Sequence, residues 1–235
     1  MIPCVILAGG LGTRISKNFP ETPKALIPVL GKPFIDWKLT QLEQQGITEV
    51  YLLTGAGGDK VYSHVSALDL GKLKVCMIPD GLDQLGTAGA IKNASNFLPD
   101  YFLLTFGDTL LDERISSFVD MKTLEEKPNL LVVTDNVGPS DNLNVCVSDQ
   151  LITLYSKTGD ETKMNYVDYG YALFNKPVFD CIDSATNSDL KEVITDLIQK
   201  KLLQAHETSS SYYEIGTPDG LLRTETHLKS DNFSL

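Results

Sequence analysis

The chain has 235 residues, 42% of them hydrophobic and 22% charged, which is enough to bury a core without disulfide or metal staples. Its 20 basic and 31 acidic residues give a net charge of −11, which argues against a protein that wraps nucleic acid or lies on an anionic membrane. No apolar run reaches the roughly 18 residues of a membrane span and no basic-then-apolar leader opens the chain, so a cytoplasmic protein is expected. The cysteines Cys4, Cys76, Cys146 and Cys181 lie far apart with no CxxC spacing and read as reduced thiols. His64, His206 and His227 form no metal-ligand spacing.

PCVILAG is a short apolar run closed by glycines, the pattern of a buried strand ending in a turn. In KPFIDWKLTQLEQQG, Phe34, Ile35, Leu39 and Leu42 recur at helical spacing and Gly46 supplies a stop. ITEVYLLTG predicts a strand, DKVYSHVSALDLG a helix closed by Gly71, KLKVCMIPDG a third strand, GTAGAIKNASNFLPD a helix and YFLLTFGD a fourth, central strand. ERISSFVDMKTLEEK reads as an amphipathic helix and NLLVVTD as a further strand. NLNVCVSDQLITLYSK alternates on either side of SDQ, as a hairpin does. YVDYGYALFNK predicts a strand, and SDLKEVITDLIQKK a helix with Ser188 or Asp189 as N-cap. SSYYEIGTPDGLLRTETHL predicts a strand, a Gly-Thr-Pro turn and a closing helix. The strand–helix alternation of the first part predicts an α/β protein of Rossmann-like, three-layer α/β/α form around a mainly parallel mixed sheet. A single domain over 1–235 is expected. Residues 1–110 would form a nucleotide-binding half, and 111–235 an acceptor-binding half that completes it.

LAGGLGTR follows the first strand. Gly9, Gly10 and Gly12 carry no side chains, so backbone N–H groups can approach a bound anion, and Thr13 and Arg14 add donors. Three glycines alone also fit a tight turn that packs helix on strand. The spacing matches neither GxGxxG nor GxxxxGKS. Downstream, ETPKALIPVLGKP presents Lys24 after Pro23, a residue that by itself could be mere surface charge.

Together, LAGGLGTR and PKALIPVLGKP resemble the opening of the sugar-phosphate nucleotidyltransferases, also called nucleoside-diphosphate-sugar pyrophosphorylases. The look is nearest to short bacterial heptose, mannose or N-acetylmuramate 1-phosphate enzymes. The resemblance implies that Leu7, Ala8, Gly9, Gly10, Gly12 and Thr13 hold a nucleoside triphosphate, while Arg14 and Lys24 neutralise the triphosphate and the leaving pyrophosphate. In DQLGTAGAI, Gln84, Gly86 and Thr87 correspond to a stretch that meets the base; the same small residues also suit helix packing. Asp108 in FGDT matches the family's metal ligand at the end of a core strand, with Mg²⁺ as the implied cofactor.

Glu214, in EIGTPDG, stands where the family often has aspartate and would be the second metal ligand, with Asp168 in YVDYG as the other candidate. Asp168, Tyr169, Gly170 and Glu214 would shape the acceptor side. Lys157, in LYSKTG, would bind the acceptor phosphate, with Lys163 able to take its place. The expected reaction joins a nucleoside triphosphate and a sugar 1-phosphate. A cytidylyltransferase for a non-sugar phosphorylated or phosphonate acceptor and a non-catalytic nucleotide-sugar-binding regulator are the alternatives. A glycosyltransferase would want an Asp-x-Asp pair, which Asp108-Thr109-Leu110 lacks. No left-handed β-helix repeat is present, which sets aside a bifunctional uridylyltransferase–acetyltransferase. A monomer or small homo-oligomer is expected.

Overall fold

The computed structural model describes residues 2–10, 15, 18–80, 85–120, 124–125, 129–136, 142–156, 164–183 and 186–230. The chain opens with β1 (Cys4–Leu7), a small ladder of β2 (Pro28–Val29) and β3 (Lys32–Pro33), and α1 (Phe34–Gln44). It continues through β4 (Glu49–Thr54), α2 (Gly58–Val65), β5 (Lys74–Pro79), α3 (Gly86–Ala94), β6 (Tyr101–Phe106) and β7 (Thr109–Leu111). Then come β8 (Leu130–Thr134), β9 (Val145–Ser148), β10 (Leu151–Tyr155), β11 (Val167–Asn175) and α4 (Leu190–Gln199). The last elements are β12 (Gln204–Thr208), β13 (Tyr212–Glu214) and α5 (Pro218–Lys229).

The large sheet runs β5-β4-β1-β6-β11-β8-β12-β10-β9. It is parallel from β5 to β6 and between β8 and β12, and antiparallel at its other joints. This is the expected α/β architecture with a mixed central sheet. Side-chain alternation along β1 separates its two faces. Val5 packs with Ala88, Ile91 and Ala94 of α3 and Val193 and Leu197 of α4. Cys4 and Ile6 pack with Ile35, Leu39 and Leu42 of α1 and Val61 and Val65 of α2. Helices therefore cover both faces.

Several local expectations are met for identifiable reasons. Asp149 and Gln150 have φ of +52° and +63°, so a turn with two left-handed residues joins β9 to β10. Asp189 is the N-cap of α4 and forms a capping box with Glu192. The helix expected over ERISSFVDMKTLEEK does not form as drawn: its described start holds only a 3₁₀ turn, Ile115–Ser117. This stretch is tied to three other segments. Asp112 N–H donates to Ser211 O, Glu113 N–H to the Tyr169 hydroxyl and Ile115 N–H to Gln45 Oε1.

Lys38 of α1 is fully buried beneath the end of β6. Its Nζ donates to Thr105 Oγ1 at 3.0 Å and stands 5.3 Å from the centre of the Tyr171 ring. Burial pulls its pKa down to about 8. A lysine whose folded-state pKa lies below its unfolded value penalises the fold while it is charged. That cost is complete below pH 8 and is relieved as pH rises toward the unfolded value. Unfolding free energy should therefore gain about 2 kcal/mol between pH 8 and 10. Denaturant titrations of wild type and Lys38→Met test this, because the substitution should flatten the rise. An equal rise in both would assign it to another group.

Candidate active site

The parallel strands β5, β4, β1 and β6 end at one edge of the sheet, and a cleft of about 970 Å³ opens there. Carboxyl ends of parallel strands are where open α/β sheets bind ligands. One wall comes from Leu7 through Gly10, which continue β1. Ala8 N–H donates to Leu53 O, so the chain stays bonded to β4 as it leaves the strand. Gly9 then meets Gly55 face to face: a Cβ on Gly55 would lie 3.0 Å from Gly9 O, and one on Gly9 3.1 Å from Gly55 N. Side chains at either position would force the two backbones apart, so the glycines let β1 and β4 close-pack here into one bare-backbone wall of the cleft.

Residues 11–14 lie outside the described part, so the expectations for Gly12, Thr13 and Arg14 are without a structural account, as are those for Gln84, Lys157 and Lys163.

Lys24 reaches the same cleft. Pro23 holds the backbone extended (φ −54°, ψ 139°) and its ring packs onto Gly57, where an added Cβ would be 2.8 Å from Pro23 Cγ. The 3₁₀ turn Lys24–Leu26 starts there. Lys24 Nζ lies 2.5 Å from Asp108 Oδ2, with the two side chains 15% and 30% exposed. Asp108 follows β6 and Gly107, whose N–H donates to Leu7 O. The strand ends of β1 and β6 thus bring together the lysine and aspartate singled out in the sequence.

Glu214 arrives by another route. β13 pairs antiparallel with β7, Glu214 sits opposite Thr109, and Ile215 N–H donates to Asp108 O at 3.1 Å. Asp108 and Glu214 are therefore brought close through the backbone. The Glu214 carboxylate bonds its own turn, accepting from Gly216 N–H and, at 2.6 Å, from Thr217 Oγ1. Thr217 is the N-cap of α5 and Pro218 its first residue, so this carboxylate faces a helix N-terminus. A Cβ on Gly216 would lie 2.6 Å from Glu214 Oε2 and 2.7 Å from Lys24 Nζ, so both groups border one small space.

Asp168 reaches this edge too. Tyr171 pairs with Thr105 in the antiparallel β11–β6 ladder, and three residues further along each strand stand Asp168 and Asp108. Asp168 accepts from the Tyr155 hydroxyl at 3.1 Å and from Gly170 N–H at 3.0 Å. Neither Asp168 nor Glu214 lines the cleft itself. Among the described residues, no three His, Cys, Asp or Glu side chains cluster as a ready-made metal site.

Two sequence expectations change character. Tyr169 is 1% exposed, because alternation turns it from Asp168's face into the core. Its hydroxyl donates to Ser211 O and accepts from Glu113 N–H, so it positions the loop at 113 and does not face an acceptor. Gly86 and Thr87 do line the cleft. The small residues at the start of α3 nonetheless make room for the protein's own chain: Ala88 and Gly89 N–H donate to Ser188 O, and Thr87 Oγ1 accepts from Leu190 N–H.

Sequence reading passed over the loop Gly55–Gly58, Asp80 and Asn187, all of which line the cleft. The glycine pairs in TGAGGD after an apolar run were the available signal for the first. Among the described lining residues, Asp59, Asp80 and Asp108 face a single cation, Lys24.

A nucleotidyl transferase family model matches residues 4–231. A putative mannose-1-phosphate guanyltransferase of Sulfolobus acidocaldarius is 28% identical over 97% of this chain and 63% of its own length. The D-glycero-alpha-D-manno-heptose 1-phosphate guanylyltransferase of Campylobacter jejuni is 27% identical over 92% of this chain and 95% of its own. The chain spans only about half to two thirds of several other relatives, among them 53% of a bifunctional protein GlmU from Methanococcus maripaludis. Its fold superposes on HddC from Yersinia pseudotuberculosis with a TM-score of 0.79, at 24% identity, over 97% of this chain and 100% of that one. No helix among the described residues is long and apolar enough to cross a membrane. With the family model running from β1 to the end of α5, the chain belongs to the nucleotidyl transferase family.

Proposed function

We propose that the protein transfers a nucleotidyl group from a nucleoside triphosphate to a sugar 1-phosphate, giving a nucleoside-diphosphate sugar and pyrophosphate. The observation that carries this reading is the Lys24–Asp108 pair at the mouth of a glycine-walled cleft. The relatives' names supply the acceptor class, mannose 1-phosphate in one and a heptose 1-phosphate in the other. An acceptor phosphate oxygen attacks the α-phosphorus, the bond from that phosphorus to the oxygen bridging to the β-phosphorus breaks, and pyrophosphate carries the electron pair away. The acceptor oxygen is already anionic, so no base is required. Lys24, with Arg14 from the glycine loop, screens the negative charge of the triphosphate and of the departing pyrophosphate.

The donor set fits magnesium. Mg²⁺ takes hard oxygen ligands, typically one or two carboxylates with waters and phosphates. Asp108 offers a partly exposed carboxylate whose present partner is itself a cation. The excess of acid over base among the described residues lining the cleft also favours a metal-complexed triphosphate over a bare one. Asp108 would hold the ion, with Glu214 as second carboxylate and Asp168 as the competitor. Bound there, magnesium would neutralise phosphate oxygens.

Lys157 is proposed to bind the acceptor phosphate. Pyrophosphate release, measured over a matrix of four triphosphates and a panel of sugar 1-phosphates with Mg²⁺, tests the whole reading. A product with the mass of a nucleoside-diphosphate sugar is expected, and no turnover with any pair would reject it. Within the active pair, Lys157→Ala should raise the acceptor KM about tenfold while leaving the nucleotide KM within about twofold, as expected for loss of one charged phosphate contact. The same split in Lys163→Ala alone would exchange the two roles.

A further inference from the structure

We propose that Asp80 selects the base of the bound nucleotide, and that this base is guanine. The proposal rests on the cleft being a nucleotide site. Its first support is position. β5, β4, β1 and β6 are successive neighbours, so at about 4.8 Å per strand the ends of β5 and β6 lie roughly 14 Å apart. Asp108 at the end of β6 marks the phosphate end. Asp80 at the end of β5 is too far away to share its phosphates, and stands where a base would lie if the nucleotide extends along the cleft. The bare backbone wall formed by Gly9 and Gly55 lies between them.

The second support is the state of the carboxylate. Asp80 N–H donates to Thr54 O at 2.8 Å, which anchors the residue at the sheet edge. Oδ2 lies 3.4 Å from the place a Cβ on Gly9 would occupy, so the side chain leans over the Gly9 wall. No described donor or cation bonds it, and burial pushes its pKa up to about 6. Lys24, the one described cation lining the cleft, is held by Asp108. The other acid at this end, Asp59, is exposed in the first turn of α2, where the helix N-terminus favours it. A half-buried carboxylate without a partner is a cost to the free protein that a ligand carrying donors would relieve.

The third support is chemical. An ionised carboxylate only accepts, through two oxygens side by side, so its complement is a pair of parallel donors. Guanine has that pair in N1–H and the exocyclic N2 amine. Adenine and cytosine set a donor beside an acceptor. Uracil and thymine offer one N–H between two carbonyls, which would bring oxygen against oxygen. A site built around hydrogen-bonding groups rejects analogues that leave them unmatched.

Equilibrium binding of GTP, ITP, ATP, CTP and UTP to the full chain, with Mg²⁺ and without acceptor, tests this apart from turnover. ITP is the diagnostic ligand because it lacks only the exocyclic amine. GTP should bind tightest, with ITP about tenfold weaker and the others weaker still. Asp80→Asn should weaken GTP by about 10- to 100-fold and shrink the GTP:ITP ratio to below about threefold. Asp59→Asn should shift GTP and ITP by one common factor. Since Asp80→Asn removes an unpartnered charge, its ligand-free melting temperature at pH 7.5 should equal or exceed wild type, which separates lost recognition from lost folding. A wild-type preference for another base, or an Asp80→Asn protein that keeps its GTP:ITP ratio, would overturn the proposal. Binding of every triphosphate with equal strength would overturn base selection while leaving the nucleotide cleft standing; binding of none would remove both.

Discussion

Asp108→Asn should lower kcat by about a thousandfold or more, with a melting temperature within a few degrees of wild type. The amide has the size of the carboxylate but no charge. Apart from the Lys24 ion pair, what holds this corner together is backbone: Ile215 N–H bonds the Asp108 carbonyl, and Gly107 N–H bonds Leu7 O. The β7–β13 ladder beside it is likewise backbone. Loss of activity would therefore report chemistry and not collapse. The loss should be larger than that of Glu214→Gln, because the Glu214 carboxylate is already bonded to Gly216 N–H and Thr217 Oγ1, whereas the Asp108 carboxylate has a lysine as its partner. Initial-rate measurements of pyrophosphate release give the ranking. An Asp108→Asn enzyme within tenfold of wild type would remove Asp108 from the proposed metal site, and a Glu214→Gln loss exceeding that of Asp108→Asn would reverse the order of the two carboxylates.

The parts of the fold that a reader of the sequence can see are those where local pattern and tertiary need agree. The run CVIL is apolar throughout because β1 is covered on both faces, and its closing glycines mark the turn into the cleft. Asp149-Gln150 lies in SDQ between two alternating runs, so the β9–β10 hairpin follows from short-range chemistry. Asp108 was legible from its place just after a buried strand, and Lys24 only through the resemblance that LAGGLGTR and PKALIPVLGKP carry together.

What stayed hidden depends on partners remote in the chain. QAHET has little apolar periodicity, yet it becomes β12 because β8 and β10 offer edges on either side of it. ERISSFVD has the look of a helix, but it holds only a 3₁₀ turn in a stretch tied to Ser211, Tyr169 and Gln45. Thr87 sits at a helix start that suits a ligand, and a segment a hundred residues later reaches it first. Asp80 in IPDG reads as an ordinary turn residue; its interest arises only when Gly9 and Gly55 close one side of it. Burial without a partner is a property of the assembled edge, and no local pattern encodes it.

Lys24→Met should lower kcat/KM for the triphosphate by about 10²- to 10³-fold. The ammonium is delivered by rigid means, with Pro23 seated on Gly57 and the 3₁₀ turn fixing the next residues. In the free protein it neutralises Asp108 at 2.5 Å, and triphosphate oxygens entering the cleft would compete for it. Methionine keeps the length and most of the packing while discarding the charge. It also strands a carboxylate that is 30% exposed, so a stability loss of about 1 kcal/mol is expected, below the cost of breaking a fully buried pair because water still reaches Asp108. The double variant Lys24→Met/Asp108→Asn then separates the two roles. Its stability should return most of the way to wild type, since no unpaired charge remains, while its activity should stay at the level of the weaker single variant. Lys24→Arg should not rescue turnover, because the ammonium borders the close space over Gly216 and a planar guanidinium is larger. Denaturant melts and steady-state rates on wild type, the two single variants, the double variant and Lys24→Arg decide the matter. Turnover within fivefold of wild type in Lys24→Met would leave the lysine as a structural counter-charge to Asp108 and place the burden of charge stabilisation on the glycine loop and Arg14.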